Sequence, residues 1–429
     1  VNTTAADNPT QHHLSISSPV IDKGHVKYTL DGTSHQASAK IKTLTAGLPS
    51  VDTPAVELFL AATAAWLADR SIPRNGQPDR WKRHINIAFP VTNPTTWPSA
   101  QTERLLRFLS NDHWTVTPYQ ATQQPTLSPS QLPLIALEAD AVDLFSGGLD
   151  SYAFAAANPE NNRLAVGHWD MGPLKGLQER LHDDLGRSPD RLRWFHVAVK
   201  ESTEDTSRTR GFLFAAAAVA VAATLRAPTV TIPENGFVAL NVPLTASRTG
   251  ALSTRSTHPH TLTLIGNVIQ ALGIDVQLDN PWLYSTKGDI TRAALTQLGG
   301  IAATVSCSHP TERWRGDATY SNCGYCYPCL VRRSGIEAAT GGTDPTTYKF
   351  DPRTDVDITN PKTDRRADIY AVIARLASDP HPRDLVRTAP LPPDVDRERL
   401  QDMRERSHRE LRTMLDNGMT AQVRRNLGL

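Results

Sequence analysis

Between Ala141 and Ala157 the chain reads AVDLFSGGLDSYAFAAA, where an apolar strand, a loop with two adjacent glycines and an alanine-rich helix follow without a break. A strand that enters a helix through so tight a turn is the repeating unit of an α/β sheet. The period continues downstream. LAVGHWD, RLRWFHVAV, TVTIPE and VQLDNPW read as strands, and GPLKGLQERLHDDLG, RGFLFAAAAVAVAATL and HTLTLIGNVIQALG as the helices between them. This alternation predicts an α/β fold with a mostly parallel, doubly wound sheet, whose active site lies at the carboxyl ends of the strands.

The flanks read differently. Residues 1 to 24 are largely polar and are expected to be mobile or to dock as an edge strand. His25 to Leu44 reads as two strands turning at Asp31-Gly32, Val56 to Ala68 as a helix with Asp52 to cap it, RHINIAFPV as a strand, Gln101 to Leu109 as a helix and HWTVTPY as a strand. We expect an N-terminal α+β accessory domain over residues 1–125 and a Pro/Ser/Gln-rich link at 121–133. The α/β domain then spans 135–337, and a loop and helical extension spans 338–429, with helices near 365–377 and 394–415. The last of these is dense in Arg and Glu with a Leu/Met stripe, the pattern of a surface helix docked by one face.

The loop Ser146-Gly147-Gly148-Leu149-Asp150-Ser151 carries chemistry. Paired glycines allow a turn that exposes consecutive backbone N–H groups, Ser146 and Ser151 add hydroxyls, and the helix start offers unpaired N–H groups to an anion. Together they form a pyrophosphate cradle. No lysine follows, so this is not the G-x-x-x-x-G-K-[ST] loop, and the dinucleotide G-x-G-x-x-G is absent as well. Asp150 among phosphates would be repelled without a divalent cation, which implies Mg²⁺.

The four cysteines of this chain all fall in one segment, as Cys307, Cys323, Cys326 and Cys329, spaced C-x15-C-x2-C-x2-C. Four soft ligands at that spacing can close around one tetrahedral ion with no open position, which favours a structural zinc. An iron–sulfur cluster is the alternative that spacing leaves open.

S-G-G-x-D-S after the first strand of a parallel sheet resembles the PP-loop ATP pyrophosphatases, which activate a carbonyl or carboxyl oxygen as an adenylate. With the cysteine segment Cys323-Gly324-Tyr325-Cys326-Tyr327-Pro328-Cys329 and the Leu330 and Arg332 that follow, the chain is similar to the 7-cyano-7-deazaguanine synthase family. Asn280 to Lys287 and Thr209 to Phe214 resemble further stretches of that family, and the likeness runs over about residues 140 to 337. It implies ATP, Mg²⁺ and a structural Zn²⁺, and the activity it implies is a carbon–nitrogen ligase releasing AMP and pyrophosphate, acting on a deazapurine carboxylate with ammonia. The chain departs from that family at PENGFVALNVPLTASRTGALSTRSTHP and in its flanking regions. Those extra regions are similar to deazaguanine-synthase-like proteins of anti-phage defence systems. That likeness implies protein partners encoded nearby and a protein amine as the alternative acceptor.

Further candidates follow from position. Lys287, at the start of a helix, suits the α- or β-phosphate, and Arg255, in a run of hydroxyls before a helix, suits a carboxylate or phosphate. Arg210 precedes the long apolar helix and is a candidate catalytic cation, or else charge at the margin of that helix. Glu234 and Asn235 end a strand where a purine-like ring would sit, though an acidic Asn-Gly turn explains them equally. Asp170 ends the second strand of the α/β unit, where it could meet adenosine. His168 and the His12-His13 pair lack a partner spacing that would assign them.

Composition narrows the class. Lys plus Arg total 45 against 44 acids, a net charge of +1, which argues against a nucleic-acid partner and with it a tRNA-modifying enzyme. The most apolar stretch, Phe212 to Ala223, falls short of the about 20 residues a membrane span needs. The sequence opens without a signal-peptide pattern, so a cytoplasmic location is the expectation. A nucleotide-binding scaffold without activity is the non-enzyme alternative, and the intact loop speaks against it.

Overall fold

The computed structural model describes residues 10–21, 24–48, 51–77, 79, 81–127, 137–159, 162–170, 172–199, 202–244, 255–311, 319–357, 366–387 and 389–429. The strands are β1 Gln11–Ile16, β2 Val20–Ile21, β3 His25–Leu30, β4 Thr33–Lys40, β5 His84–Val91, β6 His113–Gln120, β7 Thr126–Leu127, β8 Ala141–Leu144, β9 Arg163–His168, β10 Leu192–Ala198, β11 Thr229–Thr231 and β12 Gln277–Asp279. The helices are α1 Thr53–Ser71, α2 Ser99–Ser110, α3 Leu149–Ala157, α4 Gly172–Asp184, α5 Arg210–Leu225, α6 Gly236–Leu240 and α7 Pro259–Ala271. They continue as α8 Lys287–Ala293, α9 Leu298–Ala303, α10 Tyr327–Thr340, α11 Arg366–Leu376, α12 Asp384–Arg387, α13 Arg397–Asp416 and α14 Ala421–Leu427. None of these helices is long and apolar enough to cross a membrane.

Ten strands form one sheet in the order β12-β11-β8-β9-β10-β4-β3-β1-β5-β6, while β2 and β7 pair separately. From β12 to β10 every pairing is parallel, as the strand–helix alternation predicts. The sheet then turns antiparallel through β10–β4, β4–β3 and β3–β1, and parallel again through β5 and β6. Apart from β2, the strands of residues 1–125 therefore form no second sheet. They extend the first across the seam where Val197 pairs with Ala39.

Local chemistry explains the elements. Asp31 and Gly32 both take left-handed φ, 49° and 80°, which lets a two-residue turn follow the strand twist between β3 and β4. Asp52 accepts from the Ala55 N–H at 3.1 Å and caps α1, with Pro54 in the first turn. Polar QHHLSI becomes an interior strand, not an edge, because Leu14 and Ile16 alternate into the core while the intervening residues face outward. Helices α1 and α5 are buried around most of their circumference, and their alanines allow close approach. One apolar core accordingly runs from Leu14 to Val276 through both halves. A second cluster joins α6, α10, α11, α13 and α14, and a third lies under α3, α4 and α8.

Candidate active site and metal centre

The loop after β8 turns on Gly147, whose φ of +80° excludes most side chains. A Cβ at Gly148 would lie 3.2 Å from Ser146 Oγ and 3.4 Å from Ser306 Oγ, so the second glycine answers to close approach. The Gly148 N–H donates to Ser146 Oγ at 3.2 Å and the Leu149 N–H to Ser306 Oγ at 3.1 Å. Ser146 and Ser151 hydroxyls lie 3.2 Å apart. Fully buried Gln178 clamps the turn from α4, its Nε2 donating to Phe145 O, Ser146 O and His168 O at 3.1 to 3.2 Å.

Asp150, in the first turn of α3, is 6% exposed. Lys287 Nζ donates to its Oδ1 at 2.5 Å, and the Asn235 N–H and Nδ2 donate to its Oδ2 at 3.1 and 2.9 Å. Burial works against ionisation, yet the Lys287 charge and the bonds from Glu234, Lys287 and Asn235 hold this carboxyl well below its ordinary range. Glu234 goes the other way. Burial and the neighbouring Asp150 push it well up, so two acids side by side share their site with one proton. Asn280 fixes this corner, accepting from the Glu234 N–H at 3.2 Å and donating to its carbonyl at 2.9 Å. An acid pair that cannot fully ionise by itself is a donor set that a divalent cation would complete.

Lys287 owes its place to helix capping. The Thr286 side chain accepts from Asp289 N–H and Asp289 from Thr286 N–H, a reciprocal cap at the start of α8. From α13, Glu410 accepts from Thr286 Oγ1 at 2.5 Å and from the Gly288 N–H at 3.3 Å, while Arg406 pairs with Asp289 and donates to Tyr284 O at 3.1 Å. The helix near the C-terminus is thus docked by one face, with its polar edge gripping the lysine's helix.

The four thiols lie within 4.8 Å of one another, with Cys307–Cys326 at 3.8 Å and Cys323–Cys329 at 3.9 Å. A tetrahedron of sulfurs around zinc at about 2.3 Å has edges of about 3.8 Å, so the donor set fits that ion. Backbone N–H groups of His309, Cys323 and Cys326 point at the sulfurs Cys307, Cys307 and Cys323 at 3.3 to 3.4 Å. Hydrogen bonding among Cys307, Cys323, Cys326 and Cys329, together with burial, pushes the Cys329 thiol well up. Gly324 has φ +92°, and a Cβ there would lie 2.0 Å from Phe350 O. Ser306 links this centre to the loop: its N–H donates to Asn322 Oδ1 at 3.0 Å and its hydroxyl accepts from Leu149.

The remaining candidates meet partners outside the Asp150 cluster. Arg210 is exposed at the start of α5, 5.7 Å over the Phe214 ring, and within the electrostatic reach of exposed Asp170. Arg255 donates to Phe108 O at 3.0 Å and lies 4.7 Å over that ring. Its neighbours Ser253 and Thr254 fall outside the described residues. His168 stacks on Phe214 at 4.8 Å, and burial, with Arg210 nearby, takes it down to about 3, so it is a neutral core residue. His12 lies 2.8 Å from Asp31, and the His13 backbone N–H donates to that acid at 2.8 Å. Sequence reasoning missed Gln178, Ser306, Asn280 and Glu410. Of these Ser306 carries a signal in its place beside the first cysteine, and Asn280 in its place at the head of the Asn280–Lys287 stretch.

No protein-family model matches the chain. A stretch of 77 residues is 36% identical to the 7-cyano-7-deazaguanine synthase of Kineococcus radiotolerans, covering 18% of this chain and 31% of that protein. Stretches of 69 residues are 39% identical to proteins of the same name from Cupriavidus taiwanensis and Cupriavidus necator, covering 16% of this chain and 27% of each. The chain thus spans less than a third of the length of the curated relatives it matches, and what it shares with deazaguanine synthases is a segment, on a mixed α/β fold consistent with the PP-loop superfamily.

Proposed function

We propose that the chain is an ATP-dependent ligase of the PP-loop type. In this reading it adenylates the carboxylate of a 7-carboxy-7-deazaguanine-like substrate, releases pyrophosphate and joins nitrogen to the activated carbon. The observation that carries this is the meeting of Asp150, Lys287, Glu234 and Asn235 beneath the SGGLDS loop, at the carboxyl ends of β8 and β11. ATP phosphates would take the N–H donors of Gly148 and Leu149 from the Ser146 and Ser306 hydroxyls, and Lys287 would turn from Asp150 to the phosphates. A substrate carboxylate oxygen bonds the α-phosphorus as the bridging P–O bond breaks, and pyrophosphate leaves with the electron pair. Ammonia then attacks the acyl carbon and AMP departs; a second ATP adenylates the amide oxygen with release of pyrophosphate, and loss of AMP and the protons on nitrogen gives the nitrile. Asp150 and Glu234 would hold Mg²⁺, which supplies charge neutralisation for the leaving pyrophosphate. The four cysteines would hold a structural Zn²⁺.

A second acceptor, an amine of a partner protein, is supported by a cleft of about 690 Å³ along the open edge strand β12. Asp275, Asp279 and Asp394 line it, and among the described residues no Lys or Arg does. It reaches Asn280, which holds Glu234, so an extended, positively charged segment could lie beside the site. The likeness to defence-associated proteins would put that partner among the products of neighbouring genes. Incubation with ATP, Mg²⁺, ammonia and carboxydeazaguanine, with and without such partners, tests both acceptors by mass. Free cyano-deazaguanine supports the first, and a partner heavier by a deazaguanine moiety supports the second. Neither product from intact protein sinks the ligase reading.

A further inference from the structure

The carboxyl ends of β5 and β6 open onto another cavity, of about 560 Å³, whose lining shares no residue with the Asp150 cluster. Its walls come from the start of α1, the segments that follow β5 and β6, and the end of α7. That volume lies in the roughly 300 to 1,000 Å³ range of small-molecule sites.

Glu57, at 7% exposure, is the acid of this cavity. Among the described residues it accepts one hydrogen bond, from the Thr92 N–H at 2.6 Å, and no cation pairs with it. A buried carboxylate with four lone-pair positions and a single donor is costly to keep, which makes its free positions strong acceptors for an incoming molecule. Trp97 lines the same cavity at 6% exposure, and among the described residues its buried indole N–H has no acceptor. Gln120 and Gln124 donate to Thr92 O at 2.7 Å and Thr53 Oγ1 at 2.5 Å, which fixes the polar wall. Among the described residues no Lys, Arg or His lines the cavity, so a phosphate or carboxylate ligand would meet Glu57 without a compensating cation. A flat, uncharged ring with two adjacent N–H donors on one edge satisfies the free acceptor positions of Glu57.

We propose that this cavity binds a guanine-type heterocycle, as base or nucleoside without phosphate, its ring N–H and exocyclic amino group donating to Glu57. The site is independent of the proposed ligase chemistry. Calorimetric titration of the full chain with guanosine, inosine and guanosine monophosphate tests it. Guanosine should bind saturably, with inosine, which lacks the exocyclic amino group, and the monophosphate each about 10-fold weaker or more. Glu57→Gln, which keeps an oxygen for Thr92 but turns an acceptor into a donor, should abolish guanosine binding, and Glu234→Gln should leave it unchanged. The proposal is overturned if guanosine does not saturate, if inosine binds equally, or if Glu57→Gln binds as the parent does. Loss in Glu234→Gln with Glu57→Gln intact would move the ligand to the other site.

Discussion

Lys287 and Asp150 are each 6% exposed and depend on one another for charge balance. Removing the cation alone leaves a buried carboxylate without its counter-charge, so Lys287→Met should cost about 3–5 kcal/mol of stability, and adding Asp150→Asn should recover most of it. Urea unfolding of the two variants measures the difference; equal losses would mean the pair is not coupled. Glu410 gives a pH signature. Burial raises it from 4.5 to about 7, against the opposing bonds from Thr286 and Gly288. Between those values the folded state keeps a proton that the unfolded state releases, so this residue's contribution falls as pH rises through the window and is flat above it. Melting temperature against pH should lose that slope in Glu410→Gln, and an unchanged slope would refute the assignment. Asp150 and Lys287 were legible because a loop motif and a helix start each carry local chemistry. Glu410 was not, because its role arises from contact with residues more than a hundred positions away, and one Glu in an Arg/Glu-rich helix has no local mark.

The cysteine segment and the SGGLDS loop are neighbouring elements. Ser306 ties them, so stripping the ion should loosen the start of α3 as well as the cysteine turn. Hydrogen exchange before and after chelation should show lost protection at Leu149 together with the 319–329 stretch, and loss confined to the latter would separate the two. Gly324→Ala places a Cβ against Phe350 O in a left-handed conformation and should lower zinc content and melting temperature, read by elemental analysis and thermal unfolding. Zinc in place of iron is part of this expectation. The strands and helices from β8 to β12 follow the alternation read from sequence, and α5 matches RGFLFAAAAVAVAATL residue for residue. β1 was harder to read because only Leu14 and Ile16 mark its inward face, too short an alternation to distinguish interior from edge.

At the scale of the molecule, residues 1–125 and the α/β unit share one sheet and one apolar core. Buried Arg83 pairs with Asp69 and Asp112 at 2.6 and 2.7 Å, and Asp69 also accepts from the Thr209 hydroxyl at 3.1 Å, so a polar network also crosses between them. Calorimetry should therefore give no separate transition for the N-terminal half. The seam was not legible because it joins β4 to β10, strands far apart in sequence whose patterns say nothing of each other. Four histidines are expected to set the acid limit. Burial leads in lowering His168 and His258 to about 3 and His182 and His408 to about 4, from 6.5. The unfolded chain takes up protons near pH 6.5 that the folded one refuses, so stability falls as pH drops, by roughly 1.4 kcal/mol per histidine per pH unit at most. That outweighs the opposing Glu410 slope, and acid titration by circular dichroism should find unfolding well above pH 3; a fold unchanged at pH 4 would contradict it. The central claim, that this site splits ATP at the α-phosphorus, is tested most directly by chromatography of nucleotide products with Mg²⁺ and carboxydeazaguanine. The account predicts AMP and pyrophosphate in equal amounts from the parent protein and none from a folded Asp150→Ala variant; ADP and phosphate, or undiminished turnover in Asp150→Ala, would contradict it.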